Sequence, residues 1–145
     1  MGRNDAEVVD KCYDSILRQN YTNYRVVHVD DNSDDGTIEK VIDYLKDKPF
    51  LKDRTTLLAN KYQRNALYNR NFAIMEYCNE EDIIVDMDAD DWIIGKQVFQ
   101  MVNSIYQAGH FFNGKREDLW LAYTSNIGYI KGCRPYVTLV GQIPD

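Results

Sequence analysis

Apolar positions along the chain change period several times, and each change marks an element. Val9, Cys12, Tyr13, Ile16 and Leu17 recur at helical spacing, so residues 6–19 are expected to form a helix, with Asn4 or Asp5 as its cap. Asn20 to Asn23 reads as a turn. Tyr24 to Val29 has strand composition and runs into Asp30-Asp31-Asn32-Ser33-Asp34-Asp35-Gly36-Thr37, a turn-forming cluster in which Thr37 is a candidate N-cap. Ile38, Val41, Ile42 and Leu45 mark a second helix that stops before Pro49. Thr55 to Ala59 reads as a strand. A third helix is expected over 63–78, with Leu67, Asn71, Ile74 and Cys78 on its inner stripe and Arg70 beside it. Asn71 on that stripe needs a polar partner if buried, and backbone groups of the core are the expected one.

Ile83-Ile84-Val85 then runs straight into Asp86-Met87-Asp88-Ala89-Asp90-Asp91-Trp92. A short apolar run of β-branched residues without polar alternation predicts a strand covered on both faces. A helix over 96–107 follows, with Gly109 as its stop. Leu119 to Tyr123 reads as a late strand, and the tail from Gly128 to Asp145 as a short hairpin or extension. Strands alternating with helices predict an α/β fold around a mostly parallel sheet. Parallel strands point the same way, so Asp30-Asp31 and the 86–91 acids are expected on one rim, where open α/β sheets place ligands.

Composition narrows the classes. The 145 residues suit a single domain, 1–145, and 44% hydrophobic residues suffice for a core. A formal charge of −6 without a basic run argues against non-specific nucleic-acid binding. Cys12, Cys78 and Cys133 are odd in number and far apart, which supports neither a disulfide framework nor a zinc site. No apolar run approaches the ~20 residues that span a bilayer. The N-terminus has no signal-peptide pattern, and Ala6 stands where myristoylation after Gly2 wants Ser or Thr. The chain as read is expected to be cytoplasmic, with a membrane-associated parent protein left open.

The acids themselves have two readings, a solvated acidic turn or a site for a hard divalent cation, whose preferred ligands are carboxylate oxygens. An EF-hand loop starting at Asp86 would have Asp91 where glycine is required and Gln97 where glutamate is required. A frame starting at Asp31 has Gly36 in place but Ile42 at the last position. A phosphoacceptor domain lacks an identifiable late lysine, and Asp90-Asp91-Trp92 does not match a phosphatase nucleophile motif.

Three blocks, "SILRQNYTNYRVVHVDDNSDDGT", "NRNFAI" and "IIVDMDADDW", together resemble glycosyltransferase family 2 domains of the GT-A fold, in that family's order, over roughly residues 5–108. The resemblance implies a Rossmann-like GT-A sheet flanked by helices. It also implies metal-dependent, inverting transfer of a sugar from a nucleotide-diphosphate-sugar donor, expected to be a UDP-sugar, to an acceptor hydroxyl on a glycan, lipid or protein. Asp31 matches the family's contact to the nucleotide base, and Asp30 beside it is expected to order the turn within the same donor site. Asp88-Ala89-Asp90 matches the Asp-x-Asp motif, extended by Asp91. Asp90 is the expected direct ligand of Mn²⁺ or Mg²⁺, with Asp88 and Asp91 reaching the ion, its water or the donor, and Asp86 serving structure. Arg70 matches the arginine near the donor, either neutralising diphosphate and orienting the acids or simply ion-paired to them.

The chain also departs from the pattern. Arg3-Asn4 stands where the family's first strand has already ended, so the first, central strand is expected to be missing. The general base is expected beyond Asp145, and Glu117 and Asp118 are the nearest acids without a motif. A fragment, a mis-assigned gene start or a non-catalytic nucleotide-sugar- or metal-binding paralogue are the readings these departures raise.

Overall fold

The structure is a computed structural model that describes residues 1–79 and 82–108, and the backbone of the short strands at 111–112, 115–116, 121–124 and 137–140. The order is α1 (Val9–Leu17), β1 (Val26–Asp30), α2 (Thr37–Lys46), α3 (Pro49–Lys52), β2 (Thr55–Ala59), α4 (Ala66–Tyr77) and α5 (Val98–Ala108). Four short strands follow: β3 (Phe111–Phe112), β4 (Lys115–Arg116), β5 (Leu121–Thr124) and β6 (Val137–Val140). β1 and β2 pair in parallel from Val26↔Thr55 to Asp30↔Ala59. β3 pairs antiparallel with β4, and β5 with β6.

The apolar stripe of α1 does what its spacing predicts. Val9, Cys12, Tyr13 and Ile16 are buried and share one cluster with Val41 and Leu45 of α2, Leu51 of α3 and Ala89 from the acidic stretch. Each large apolar side chain of that cluster contributes about 1.5–3 kcal/mol by leaving water. Val98 and Val102 of α5 form a second cluster against Ile83, Val85 and Ile93.

Three local expectations are corrected. The caps differ: α1 is entered through a turn on the backbone carbonyl of Asp5, with no side-chain cap. α2 is entered through Gly36 at φ 85°, a left-handed position suited to glycine, so Gly36 rather than Thr37 is the N-cap, and the Thr37 N–H donates to Asp35 Oδ1 at 3.0 Å. The inner face of α4 is rotated. Leu67 is 78% exposed and Asn71 is exposed, whereas Asn69 is buried and its Oδ1 accepts from Asn60 Nδ2 at 2.8 Å. Apolar residues lie all round this helix, so its polar anchors, Asn69 and Arg70, decide which face turns inward.

The third correction concerns Ile83–Asp86, which pairs into no strand among the described residues. The place beside β1 is held only at its far end. Gly2 bridges in parallel to Asp30, with Gly2 N–H donating to Val29 O (3.1 Å) and Asp31 N–H to Gly2 O (2.9 Å). On the other side the Met1 amino group donates to Met87 O at 2.8 Å and Ala89 N–H to Met1 O at 2.7 Å. Further back, a cavity of about 470 Å³ lies between Val26–Val29 and Ile83–Met87, so the ladder that would define the strand is not made there. Met1 and Gly2 thus tie the two acid-bearing segments together, and both acidic ends do face one rim. Across two strand spacings they sit roughly 10 Å apart. No helix among the described residues is long and apolar enough to cross a membrane.

Candidate donor and metal site

The first acidic segment is built by its own carboxylates. Asp30 is 2% exposed; its carboxylate accepts from Ser33 N at 2.9 Å and from the Ser33 hydroxyl. Asp31 reaches across to the connection between β2 and α4. Its carboxylate accepts from Asn60 Nδ2 (2.9 Å), Arg64 N (2.8 Å) and Asn65 N (3.1 Å). Asn65, at φ 67°, then caps α4 by accepting from Tyr68 N at 3.2 Å. Slight burial alone would raise the Asp31 pKa, but hydrogen bonds involving Asn69, Arg64, Asn60 and Asn65 hold it below the ordinary carboxylate range. Asp35 is lowered likewise, first by the Thr37 hydroxyl, which donates to it at 2.6 Å.

The second segment is different. Arg70 projects from α4 between two acids. Its Nη2 donates to Asp88 Oδ1 at 2.9 Å, and its Nε lies 2.5 Å from Asp86 Oδ2 as an ion pair off hydrogen-bond alignment. Carboxylate oxygens of Asp88, Asp90 and Asp91 all lie within 4.8 Å of one another. Burial pushes the Asp91 pKa up, and the charges of Asp90 and Asp88 push it further. Asp5 faces the same group and is raised to about 6, by burial first and Asp90 second. Its Oδ2 is buried without a partner.

All the residues singled out from sequence therefore gather on one rim. Asp31 and Asp30 lie on one side of Met1–Gly2, and Asp88, Asp90, Asp91 and Arg70 on the other. Asp30 is enclosed, while Asp31, Asp88 and Asp91 keep partial exposure and Asp90 is exposed. Oxygen donors that converge this closely, with Arg70 and the Met1 amino group as their cationic neighbours, suit a hard divalent cation such as Mn²⁺ or Mg²⁺. The sequence does not single out Asn60 or Asn69, and it marks Asp5 only as a candidate helix cap. Only the strand-ending position of Asn60, just after Ala59, hinted at it. Glu117 and Asp118 lie outside the described residues.

A sequence profile described as Glycosyl transferase family 2 matches residues 3–118. The chain is 30% identical over 115 residues to the UDP-Glc:alpha-D-GlcNAc-diphosphoundecaprenol beta-1,3-glucosyltransferase WfgD of Escherichia coli. That match takes in 79% of this chain and 42% of that protein. Among solved structures it is similar to the mannosyltransferase PcManGT from Pyrobaculum calidifontis in complex with GDP-Man and Mn²⁺. There the TM-score is 0.60 and the identity 27%, over 68% of this chain and 28% of that one. The chain thus spans less than half the length of either relative.

Proposed function

This chain belongs to glycosyl transferase family 2, and on that premise we propose that it forms the donor side of a metal-dependent transferase that takes its sugar from a UDP-sugar and inverts the anomeric centre. The observation that carries this reading is the convergence of Asp88, Asp90 and Asp91 within 4.8 Å, on the same rim as Asp31. Hydrogen bonds from Asn60, Arg64 and Asn65 fix the orientation of the Asp31 carboxylate, which stays partly exposed on the rim where a nucleotide base would donate to it. The roughly 10 Å between the two acidic ends matches the reach from a nucleoside to its diphosphate.

In this reading Asp90 and Asp91 hold a divalent cation, and Asp88 helps hold it while bonded to Arg70. Bound there, Mn²⁺ or Mg²⁺ would neutralise charge on the departing nucleoside diphosphate as a Lewis acid. Arg70 holds Asp88 in place and spaces it from Asp86, so the two charges do not simply repel. Asp30 serves the site by fixing the turn that carries Asp31. The acceptor, whether glycan, lipid or protein, and the base that takes its proton are assigned to no described residue.

The reading relies on support of two kinds. The E. coli relative is named for a UDP-glucose donor, and the Pyrobaculum neighbour is held with GDP-Man and Mn²⁺. Titration calorimetry of the chain with UDP and with GDP, each with and without Mn²⁺, tests it. UDP binding that needs Mn²⁺ and disappears in Asp90→Ala is expected. Equal binding by the two chains would sink the metal assignment, and tighter GDP binding would sink the donor.

A further inference from the structure

Three carboxylates crowded together repel one another, so the segment that carries them must be held from outside. Upstream, Met1 holds Ala89 and Met87. Downstream, the polar hold comes from α1 and the residues that directly follow it. Ser15 is fully buried; its hydroxyl donates to Cys12 O at 2.7 Å and accepts from Ile93 N at 2.9 Å. Gln19, 7% exposed, donates through Nε2 to Gly95 O (2.8 Å) and Ser15 O (3.1 Å). Through Oε1 it accepts from Val98 N (3.0 Å) and Phe99 N (3.4 Å). Asn20 N–H donates to Lys96 O at 2.6 Å, and Lys11 Nζ lies 5.5 Å from the Trp92 ring centre.

Both donors and both acceptor sites of the Gln19 amide are in use, and its two ends do opposite work. The oxygen caps the start of α5, satisfying N–H groups that have no partner within the helix. The nitrogen holds Gly95, which sits at φ 91° and reverses the chain between the acids and α5. A flipped amide would set N–H against N–H and oxygen against oxygen, so this one orientation defines the loop.

We propose that Gln19 and Ser15 are positioning residues of the cation site: they clamp 93–99 to α1 and so hold Asp90 and Asp91 where their oxygens converge with Asp88. The inference rests on reading that cluster as a cation site, and it assigns to a buried polar pair, Ser15 on α1 and Gln19 just past its end, a share of the site's affinity for metal. Neither residue touches the cation or the donor.

The test measures Mn²⁺ affinity of the 145-residue chain from the electron paramagnetic resonance signal of free Mn²⁺, together with amide exchange at Ile93 and Val98. Gln19→Ala is expected to weaken Mn²⁺ binding by about 10-fold or more, the usual cost of losing a group that orients metal ligands. Exchange at Val98 should quicken in parallel. Gln19→Glu keeps the acceptor for Val98 and Phe99 but faces Gly95 O with a second oxygen, so it should recover exchange protection at Val98 and only part of the affinity. Val41→Ala, a core truncation in α2, should lower the melting temperature while leaving Mn²⁺ affinity unchanged. A folded Gln19→Ala that binds Mn²⁺ like the parent overturns the proposal. So does Val41→Ala weakening Mn²⁺ binding as much as Gln19→Ala. If Gln19→Ala does not fold, Ser15→Ala removes the Ile93 bond together with the donation to Cys12 O, leaves the Gln19 amide in place, and carries the same test with a smaller loss. Asp90→Ala separates the two levels. If it binds Mn²⁺ like the parent, the cation site itself is misplaced. If it loses Mn²⁺ while Gln19→Ala does not, the clamp alone is wrong.

Discussion

The carboxylates of Asp30, Asp31 and Asp35 are taken up by hydrogen bonds from Ser33, Asn60, Arg64, Asn65, Thr37 and Ala6. Those of Asp90 and Asp91, on the same rim, receive none among the described residues. The electrostatics divide the same way. Asp31 and Asp35 are held below the ordinary carboxylate range, whereas Asp91 is pushed above it. Residue type is alike and both groups face one rim, so the difference lies in what each carboxylate is given to bond. Satisfied acids build a turn and stabilise the fold. Convergent, unsatisfied acids cost stability and leave their oxygens open to a cation.

The largest effect expected from this contrast is at Asp30. Asp30→Ala leaves the half-buried Ser33 N–H and hydroxyl without their acceptor and should cost about 2–3 kcal/mol, measured by urea unfolding. Asp90→Ala should cost nothing in the metal-free chain and abolish Mn²⁺ binding. A neutral Asp30→Ala, or an Asp90→Ala that destabilises as much, would break the comparison.

Gly2 separates the two segments, and it has no room for a side chain. A Cβ there would lie 1.8 Å from Asp5 Oδ2 and 2.6 Å from Ala89 Cβ. The Asp5 carboxylate can swing away, but the Ala89 methyl moves only with its backbone. Gly2→Ala is therefore expected to cost about 1–3 kcal/mol by overpacking and to shift the acids on either side of Ala89. Thermal unfolding and Mn²⁺ titration together check this. A loss of stability with unchanged Mn²⁺ affinity would show that the strain is absorbed at Asp5 alone.

How much of this was legible in the sequence depends on the residue. The α1 stripe follows from periodicity, because one buried face decides it, and the strand at 55–59 follows from its local composition. The gathering of Asp31 with Asp88, Asp90 and Asp91 on one rim follows from parallel alternation and from the three family-like blocks. The inner face of α4 was not legible, because Leu67, Phe72, Ile74 and Met75 offer apolar choices all round. The partners that settle it, Asn60 and the acids, lie on other elements. The missing pairing of Ile83–Asp86 was hidden for a related reason: strand composition is local, but a ladder needs a neighbour. Gln19 and Ser15 carried no signal, since a buried glutamine is recognised only by the four groups it satisfies.

A smaller effect is expected at Asp91. Removing one of three repelling charges by Asp91→Asn should stabilise the metal-free chain by roughly 0.5 kcal/mol, the scale of a screened surface pair. Adding Mn²⁺ should reverse the order, because ligand binding stabilises only the chain that still binds. Melting curves of both chains, with and without Mn²⁺, read this out. Curves that keep their order in Mn²⁺ would remove Asp91 from the ligand set.

The last effect is a slope with pH, and it arises where the two regions meet. Asp5 N–H donates to the Thr37 hydroxyl of the satisfied region at 2.9 Å, while its carboxyl faces Asp90 of the unsatisfied one. Its pKa is raised from 3.8 to about 6, so the folded chain holds that proton more tightly than the unfolded chain does. The stability this adds is full below pH 3.8 and is lost as pH rises through about 6. Asp5→Asn should flatten that part of the stability profile, leaving the descent from other groups unchanged. Burial is the first cause of the shift and Asp90 only the second, so Mn²⁺ at the acids should reduce the slope without removing it. If Mn²⁺ abolishes the slope, Asp5 answers to the charge cluster more than to its own burial. If Asp5→Asn leaves the slope intact, Asp5 does not titrate across the junction.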